Sequence, residues 1–239
     1  MLPAMAPLTD RVFVITGAGG ALAGSIARCF AHAGARLVLV DRHEEHVAER
    51  AREHHATALA ADLATLDGAV AMANAVVGRH GRIDGLIHTV GGFAMGRIVD
   101  GDAATYDRMF DLNVRTLFNV LRAVAPAMLA RGDGFVCGIS SEPGWTGRSP
   151  GTALYGAAKA AATSLLRTLE LEARGTQVGV CIVYPMGAID TPANRKDMPT
   201  TDPKTFIDPG EIASSILHAA TRSPRGRLSE LPIHPPRPV

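Results

Sequence analysis

A doubly wound α/β fold, a parallel sheet with helices on both faces, is what this sequence predicts. Three observations carry that prediction. Short apolar runs alternate with stretches of helical spacing, the order that gives right-handed crossovers and a covered parallel sheet. The first apolar run ends in a glycine cluster, Thr16-Gly17-Ala18-Gly19-Gly20, where a strand would turn into a helix. The 239 residues are 47% hydrophobic and 20% charged, which suits one sizeable core and hence a single domain over residues 1–239.

Each element follows from its local pattern. Val12 to Ile15 is a continuous apolar run that stops at the glycines, as a buried parallel strand does. Ala21 to Gly34 has apolar residues at helical spacing, and Arg36 to Val40 is a second buried strand, stopped by Asp41-Arg42. His43 to His55 is polar and helical. Its histidines, His43, His46, His54 and His55, read as a solvated face, because no clustered acid or thiol accompanies them; no metal site is expected. Thr57 to Ala61, followed by Asp62, is a third strand, Asp67 to His80 a helix, and Gly85 to Val90 a fourth strand. Ala103 to Ala130 predicts one long helical stretch, Gly134 to Ile139 a strand, Tyr155 to Arg174 a helix and Val178 to Val183 a strand. Tyr184 to Asp208 has little periodicity and carries Pro185, Pro192, Pro199 and Pro203, so it predicts a long loop of the kind that serves as a lid. Pro209 then opens a helix that runs to Thr221. The proline-rich tail from Leu231 is extended by composition, either docked or loose.

Composition also excludes partners. The formal net charge is +1 and there is no long basic block, so neither nucleic acid nor an acidic membrane surface is expected. Cys29, Cys137 and Cys181 are odd in number, widely spaced and in apolar surroundings, which predicts buried reduced thiols. The first ten residues carry no charged region leading into an apolar one, and no apolar run is long enough to span a bilayer. A cytoplasmic protein is the expectation.

Chemistry concentrates on Tyr155 and Lys159. Residues four apart share a helix face, so phenol and ammonium point into one cleft. A neighbouring cation favours the phenolate and lowers a pKa that is ~10 in water, giving an acid suited to proton transfer near neutrality. Such a pair also arises by chance in many helices. The glycine turn offers backbone N–H groups and a helix N-terminus to a pyrophosphate, or is a plain strand–helix turn. Asp41 is placed to take the hydroxyls of an adenosine ribose and repel a 2′-phosphate, or to cap the helix beginning at Arg42. Arg42 itself would meet a phosphate or pack over adenine.

On these residues the chain resembles the short-chain dehydrogenases/reductases over nearly its whole length, and so a Rossmann-like fold. The family's T-G-x-x-x-G-x-G loop corresponds to Thr16 through Ala23, with Ala21 and Ala23 in place of two glycines and Gly19, Gly20 and Gly24 beside them. The resemblance implies that Gly17, Gly19, Gly20, Ala21 and Leu22 meet the cofactor phosphates and that Asp62-Leu63 lies beside adenine. The usual N-N-A-G is His88-Thr89-Val90-Gly91 here, where only Gly91 keeps the pattern. It implies Val90 and Gly91 as cofactor contacts and a structural His88. Asn113 matches the helix asparagine that anchors a proton relay, and Ser141 in Ser141-Glu142-Pro143-Gly144 the serine that hydrogen-bonds the substrate carbonyl, in preference to Ser140. Tyr155 becomes the proton donor. The resemblance implies that Lys159 lowers the Tyr155 pKa and binds the nicotinamide ribose. Pro185 and Thr191 fall in the loop that meets the nicotinamide.

The resemblance thus implies hydride transfer between nicotinamide and a carbonyl or alcohol of a small molecule. NAD(H) is favoured, with NADP(H) possible. It also implies a homodimer or homotetramer joined through the helices carrying Asn113 and Tyr155, where Ala157, Ala158, Ala160, Ala161 and Ala162 would permit close approach. Two alternatives stand beside it. Asn194 to Pro199 is similar to a loop of dihydropteridine reductases, although that branch lacks the serine. A non-catalytic nicotinamide sensor on the same fold would not need the tyrosine. Trp145, Phe93, Met95 and Met186 are candidates for a substrate pocket or for core packing.

Overall fold

The computed structural model describes residues 8–223 and 225–237. Strands β1 (Val12–Thr16), β2 (Arg36–Asp41), β3 (Thr57–Ala60), β4 (Gly85–His88), β5 (Asp133–Ile139), β6 (Gln177–Pro185) and β7 (Glu230–Ile233) form one sheet in the order β3-β2-β1-β4-β5-β6-β7. Every pairing is parallel. Parallel strands need crossovers, and helices supply them on both faces. Alternation within β1 shows the division. Val12 and Val14 face a core formed with α3 (Leu66–His80), α5 (Thr116–Arg131) and α7 (Ala153–Glu172). Phe13 and Ile15 face the other core, formed with α1 (Ala21–His32), α2 (Glu45–Glu53) and α9 (Pro209–Ala220). The doubly wound sheet is therefore what the alternating pattern predicts. Among the described residues no helix is long and apolar enough to cross a membrane.

The differences from the sequence reading have local causes. The tail contributes β7, which pairs with β6 alone and so forms an edge. Pro232 has no N–H to give, and an edge strand is where a proline is tolerated. The stretch from Ala103 is not one helix. α4 (Ala103–Phe110) runs into a π-helical turn over Asp111–Arg115 before α5 begins. Strand β4 ends at His88, two residues before the expected Val90, and β6 runs on through Pro185. Within the long loop lie a short helix and a 3-10 turn, Pro203–Thr205. Numbered in chain order, that helix is α8 (Pro192–Asp197), after α6 (Glu142–Thr146) behind β5. The loop's neck is fixed by an isolated bridge between Ile189 and Ile207. Cys137 and Cys181 are buried and face each other in register across β5 and β6, whereas Cys29 is only half-buried. It occupies the flank of α1, beside the exposed Arg28 and His32.

The order of strands positions the site. Chain crossovers run outward from β1 through β2 to β3 and, in the other direction, through β4 onward. The C-terminal ends of β1 and β4 thus flank the switch point, where such sheets bind ligands.

Candidate active site

Gly17 turns the chain out of β1 at φ 70°, a left-handed value that suits glycine. A Cβ there would lie 2.9 Å from the Val90 amide nitrogen. The turn therefore packs bare backbone against the end of β4. Gly20 N–H donates to the Gly17 carbonyl at 3.0 Å, closing the turn onto α1. Helix α1 begins at Ala21 with no side-chain cap and no acidic residue in its first turn. Its orphan N–H groups, on Ala21 and Leu22 among others, and its positive dipole end are left for an anion. Asp41 ends β2 beside this turn. Its Oδ2 accepts from the Gly19 amide at 3.0 Å and its Oδ1 from the Arg42 amide at 2.8 Å, with His46 Nδ1 3.5 Å away. Arg50, from α2, reaches across to donate to the Ala18 carbonyl. Asp62 lies at the end of β3, next to Asp41, where the Ala61 amide donates to the Asp41 carbonyl at 2.9 Å. Leu63 beneath it is buried. An uncapped helix end, a bare glycine turn and a carboxylate at the adjacent strand end fit a dinucleotide.

The second half of the site is assembled from β4, the π-helical turn, β5 and α7. Asn113 lies in the π-turn, a device that re-aims a side chain by one extra residue. Its Oδ1 accepts from the Gly92 amide at 3.2 Å, and its Nδ2 donates to the carbonyls of Gly92 at 3.1 Å and Met109 at 2.9 Å. A Cβ at Gly91 would lie 2.8 Å from Asn113 Oδ1 and 3.3 Å from Lys159 Nζ, so both groups border one bare backbone position. Lys159 is buried, and its ammonium donates to the Ile139 carbonyl at 2.9 Å. Burial pulls its pKa down from 10.5 to about 8. Tyr155 behaves differently from the sequence expectation. Burial pushes the phenol above its ordinary value of 10.0, and the Ser141 hydroxyl pulls it back. Lys159 Nζ stands 5.9 Å from the centre of the phenol ring and does not offset the desolvation. The phenol is consequently protonated at neutral pH.

Ser141 and Ser140 have separate places. Ser141 caps α6 with a long contact from the Gly144 amide, 3.4 Å, which leaves its hydroxyl proton free for another acceptor. Ser140 is hydrogen-bonded to Thr163 at 2.7 Å in the interior, a packing role. Under Asn113, His88 is buried with Nδ1 2.8 Å from Thr16 Oγ1 and Nε2 3.3 Å from Thr116 Oγ1. Thr116 spends its proton on the Leu112 carbonyl at 2.7 Å, so His88 Nε2–H donates to Thr116 and Nδ1 accepts from Thr16. Burial and the Lys159 charge hold the His88 pKa down at about 3. It is a neutral strut for the π-turn, in keeping with its place in the motif.

The sequence-predicted residues thus gather along the C-terminal ends of the strands. The glycine turn, Asp41, Asp62, Val90 and Gly91 form one half. Asn113, Ser141, Tyr155 and Lys159 form the other. Pro185 ends β6 at the same end of the sheet. Thr191 instead caps α8, accepting from the Asn194 amide at 3.2 Å, with its own proton still available. Arg50 and Thr116 were not singled out by the sequence. A polar helix gives no sign of which arginine folds back, and the π-turn that uses Thr116 has no spacing signature. Two of the alanines expected at a subunit contact, Ala158 and Ala162, are buried within the chain instead. They leave Ala157 exposed, with Ala160 and Ala161 half-buried.

Comparison with known proteins places this geometry. The family model described as short chain dehydrogenase matches residues 11–202. An uncharacterized oxidoreductase of Staphylococcus epidermidis is 29% identical over 235 residues, covering 97% of this chain and all of that protein. Among solved structures, a metagenomic short-chain oxidoreductase in complex with NADP is 30% identical with a TM-score of 0.83, covering 98% of this chain and 100% of that one. Levodione reductase is 26% identical with a TM-score of 0.85, covering 95% of this chain and 97% of that one.

Proposed function

Since this chain belongs to the short-chain dehydrogenase family, and is accordingly a nicotinamide-dependent oxidoreductase, we propose that it interconverts a carbonyl and an alcohol on a small organic molecule. What carries the reading is the Ser141 hydroxyl in reach of a half-buried, protonated Tyr155 phenol, with the Lys159 ammonium 5.9 Å from the phenol ring centre. A nicotinamide dinucleotide held between the glycine turn, Asp41 and Lys159 would supply or accept the hydride. In the reductive direction Ser141 donates to the carbonyl oxygen and polarises it. Tyr155 gives its proton to that oxygen as it gains charge. The phenolate left behind is stabilised by the Lys159 cation, which is charged below its pKa of about 8. Lys159 uses one N–H on Ile139, leaving two for ribose hydroxyls. Asn113 fixes Gly92 and is the proposed anchor of a relay that returns a solvent proton to Tyr155.

NAD(H) is the proposed cofactor over NADP(H), because a carboxylate at Asp41 repels a 2′-phosphate. The structural relative bound to NADP makes this preference the point to test. NADH and NADPH, each offered with a panel of ketones and their alcohols, are expected to show nicotinamide absorbance changes, with a lower dissociation constant for NADH. No turnover across the panel would refute the oxidoreductase assignment of the site; equal or reversed constants would refute the cofactor preference alone. The proposed setting is the cytoplasm. The proposed assembly is a homodimer or homotetramer, supported by Phe118 on α5 and Leu171 on α7, each 50% exposed. Light scattering at micromolar concentration is expected to give a multiple of 25.0 kDa, and a single-chain mass would overturn the assembly.

A further inference from the structure

The segment Gly92–Gly96 crosses the catalytic tyrosine as a strap pinned at both ends. At one end Asn113 clamps both backbone groups of Gly92, at 3.2 and 3.1 Å. At the other, the Gly96 amide donates to the Gly151 carbonyl at 2.7 Å and the Ala153 amide to the Gly96 carbonyl at 3.0 Å. That second pair joins the strap to the first residues of α7, directly ahead of Tyr155. Between the pins stand Phe93, Ala94 and Met95. The Phe93 ring meets the Tyr155 ring edge-on, centroids 4.9 Å apart and planes at 71°. Phe93 is nevertheless 56% exposed and Met95 79% exposed. Core packing, the other reading of these two side chains, is thereby excluded. Trp145, two residues beyond the serine motif's proline, is edge-on to Tyr184 at 4.8 Å and is 41% exposed.

Large apolar side chains fixed in place and left in water around reacting groups mark a surface that a ligand covers. Two arginines of the flanking segments are already paired with carboxylates. Arg97 is held by Asp100 at 2.6 and 3.0 Å, and Arg195 by Asp190 at 2.5 and 2.7 Å. The exposed carboxylate of Glu142 directly follows Ser141. We propose that the substrate is an uncharged carbonyl or alcohol carried on a bulky apolar ring, which lies on Phe93 and Met95. This inference rests on the carbonyl/alcohol reading of the same site. Phe93 and Met95 set specificity and take no part in proton transfer.

The test uses a matched pair with one ring and two substituents, 4-tert-butylcyclohexanone and 4-oxocyclohexanecarboxylate. Equilibrium dialysis in the presence of NADH reads binding without turnover. The tert-butyl ketone is expected to bind and to turn over at least about tenfold better than the carboxylate. Phe93→Ala is expected to weaken the tert-butyl ketone by about tenfold, with less than about a twofold effect on the carboxylate and on NADH. Equal or reversed ranking in the binding titration would overturn the inference and direct attention to Arg148 or Lys196, both exposed. The expected binding ranking without turnover would support the apolar site and sink only the reaction assigned to it. An unchanged ranking in Phe93→Ala would remove the strap from specificity.

Discussion

Replacing Tyr155 by phenylalanine is expected to lower turnover by about a thousandfold while nicotinamide binding stays within about twofold. The substitution removes one oxygen and keeps the ring that meets Phe93 edge-on, so the strap retains its partner. What is lost is the only phenol proton beside Ser141. Ser141 would still polarise the carbonyl, but the oxygen gaining charge would have to draw its proton from water. General acids of this kind contribute about 10²–10⁴-fold. Stopped-flow or steady-state absorbance measures the rate, and titration of the variant with NADH measures the binding. A variant that retains a tenth or more of the wild-type rate would show that another group delivers the proton. A variant that loses cofactor binding in parallel would show a structural defect instead.

Lys159→Met is expected to abolish activity and to make the protein more stable at neutral pH. The folded chain holds the Lys159 pKa at about 8, against 10.5 unperturbed, because burial disfavours the cation. A base whose pKa falls on folding leaves the unfolded chain holding more protons between those two values. Stability from this group therefore rises with pH across that window, and below about pH 8 the whole cost of the buried charge is present. That cost is about 3 kcal/mol from the size of the shift. Methionine has nearly the same length and no charge. It leaves the Ile139 carbonyl without its partner, a loss of about 1 kcal/mol, so a net gain of about 2 kcal/mol is expected at pH 7. Urea titrations at pH 7 and at pH 10.5 check it, with the advantage of the variant shrinking towards the higher pH. A variant less stable than wild type at pH 7 would mean that hydrogen bonding already compensates the buried cation. The expected pattern, stability gained where activity is lost, is the mark of a residue kept for chemistry.

Much of the fold was readable because its signals are local. Val12–Thr16 is buried at every position, so its continuous apolar run needed no partner to be recognised as an interior strand. The edge strand Glu230–Ile233 was not readable. Its residues are half-exposed, include a proline, and become a strand only because β6 lends a hydrogen-bonding edge. The π-turn at Asp111–Arg115 escaped for a similar reason. Apolar spacing through the turn still reads as helix, while the extra residue is held by Asn113 on Gly92 and by Thr116 under His88, contacts that span distant parts of the chain.

The site divides along the same line. By itself the sequence determined the order of the parts: a glycine turn after the first strand, a carboxylate after the second, then asparagine, serine, tyrosine and lysine. Those identities are written in single residues and short spacings. Only the tertiary structure decided how the parts act on one another. Tyr155 and Lys159 share a helix face, yet burial dominates both, raising the phenol and lowering the ammonium. Desolvation depends on what the whole fold packs around a group, and helical spacing carries no record of it. The same holds for Phe93 and Met95, whose composition suits a core as well as a binding surface. Their exposure over Tyr155 follows from two backbone anchors, at Gly92 and Gly96, that tie loops from three different strands and helices together.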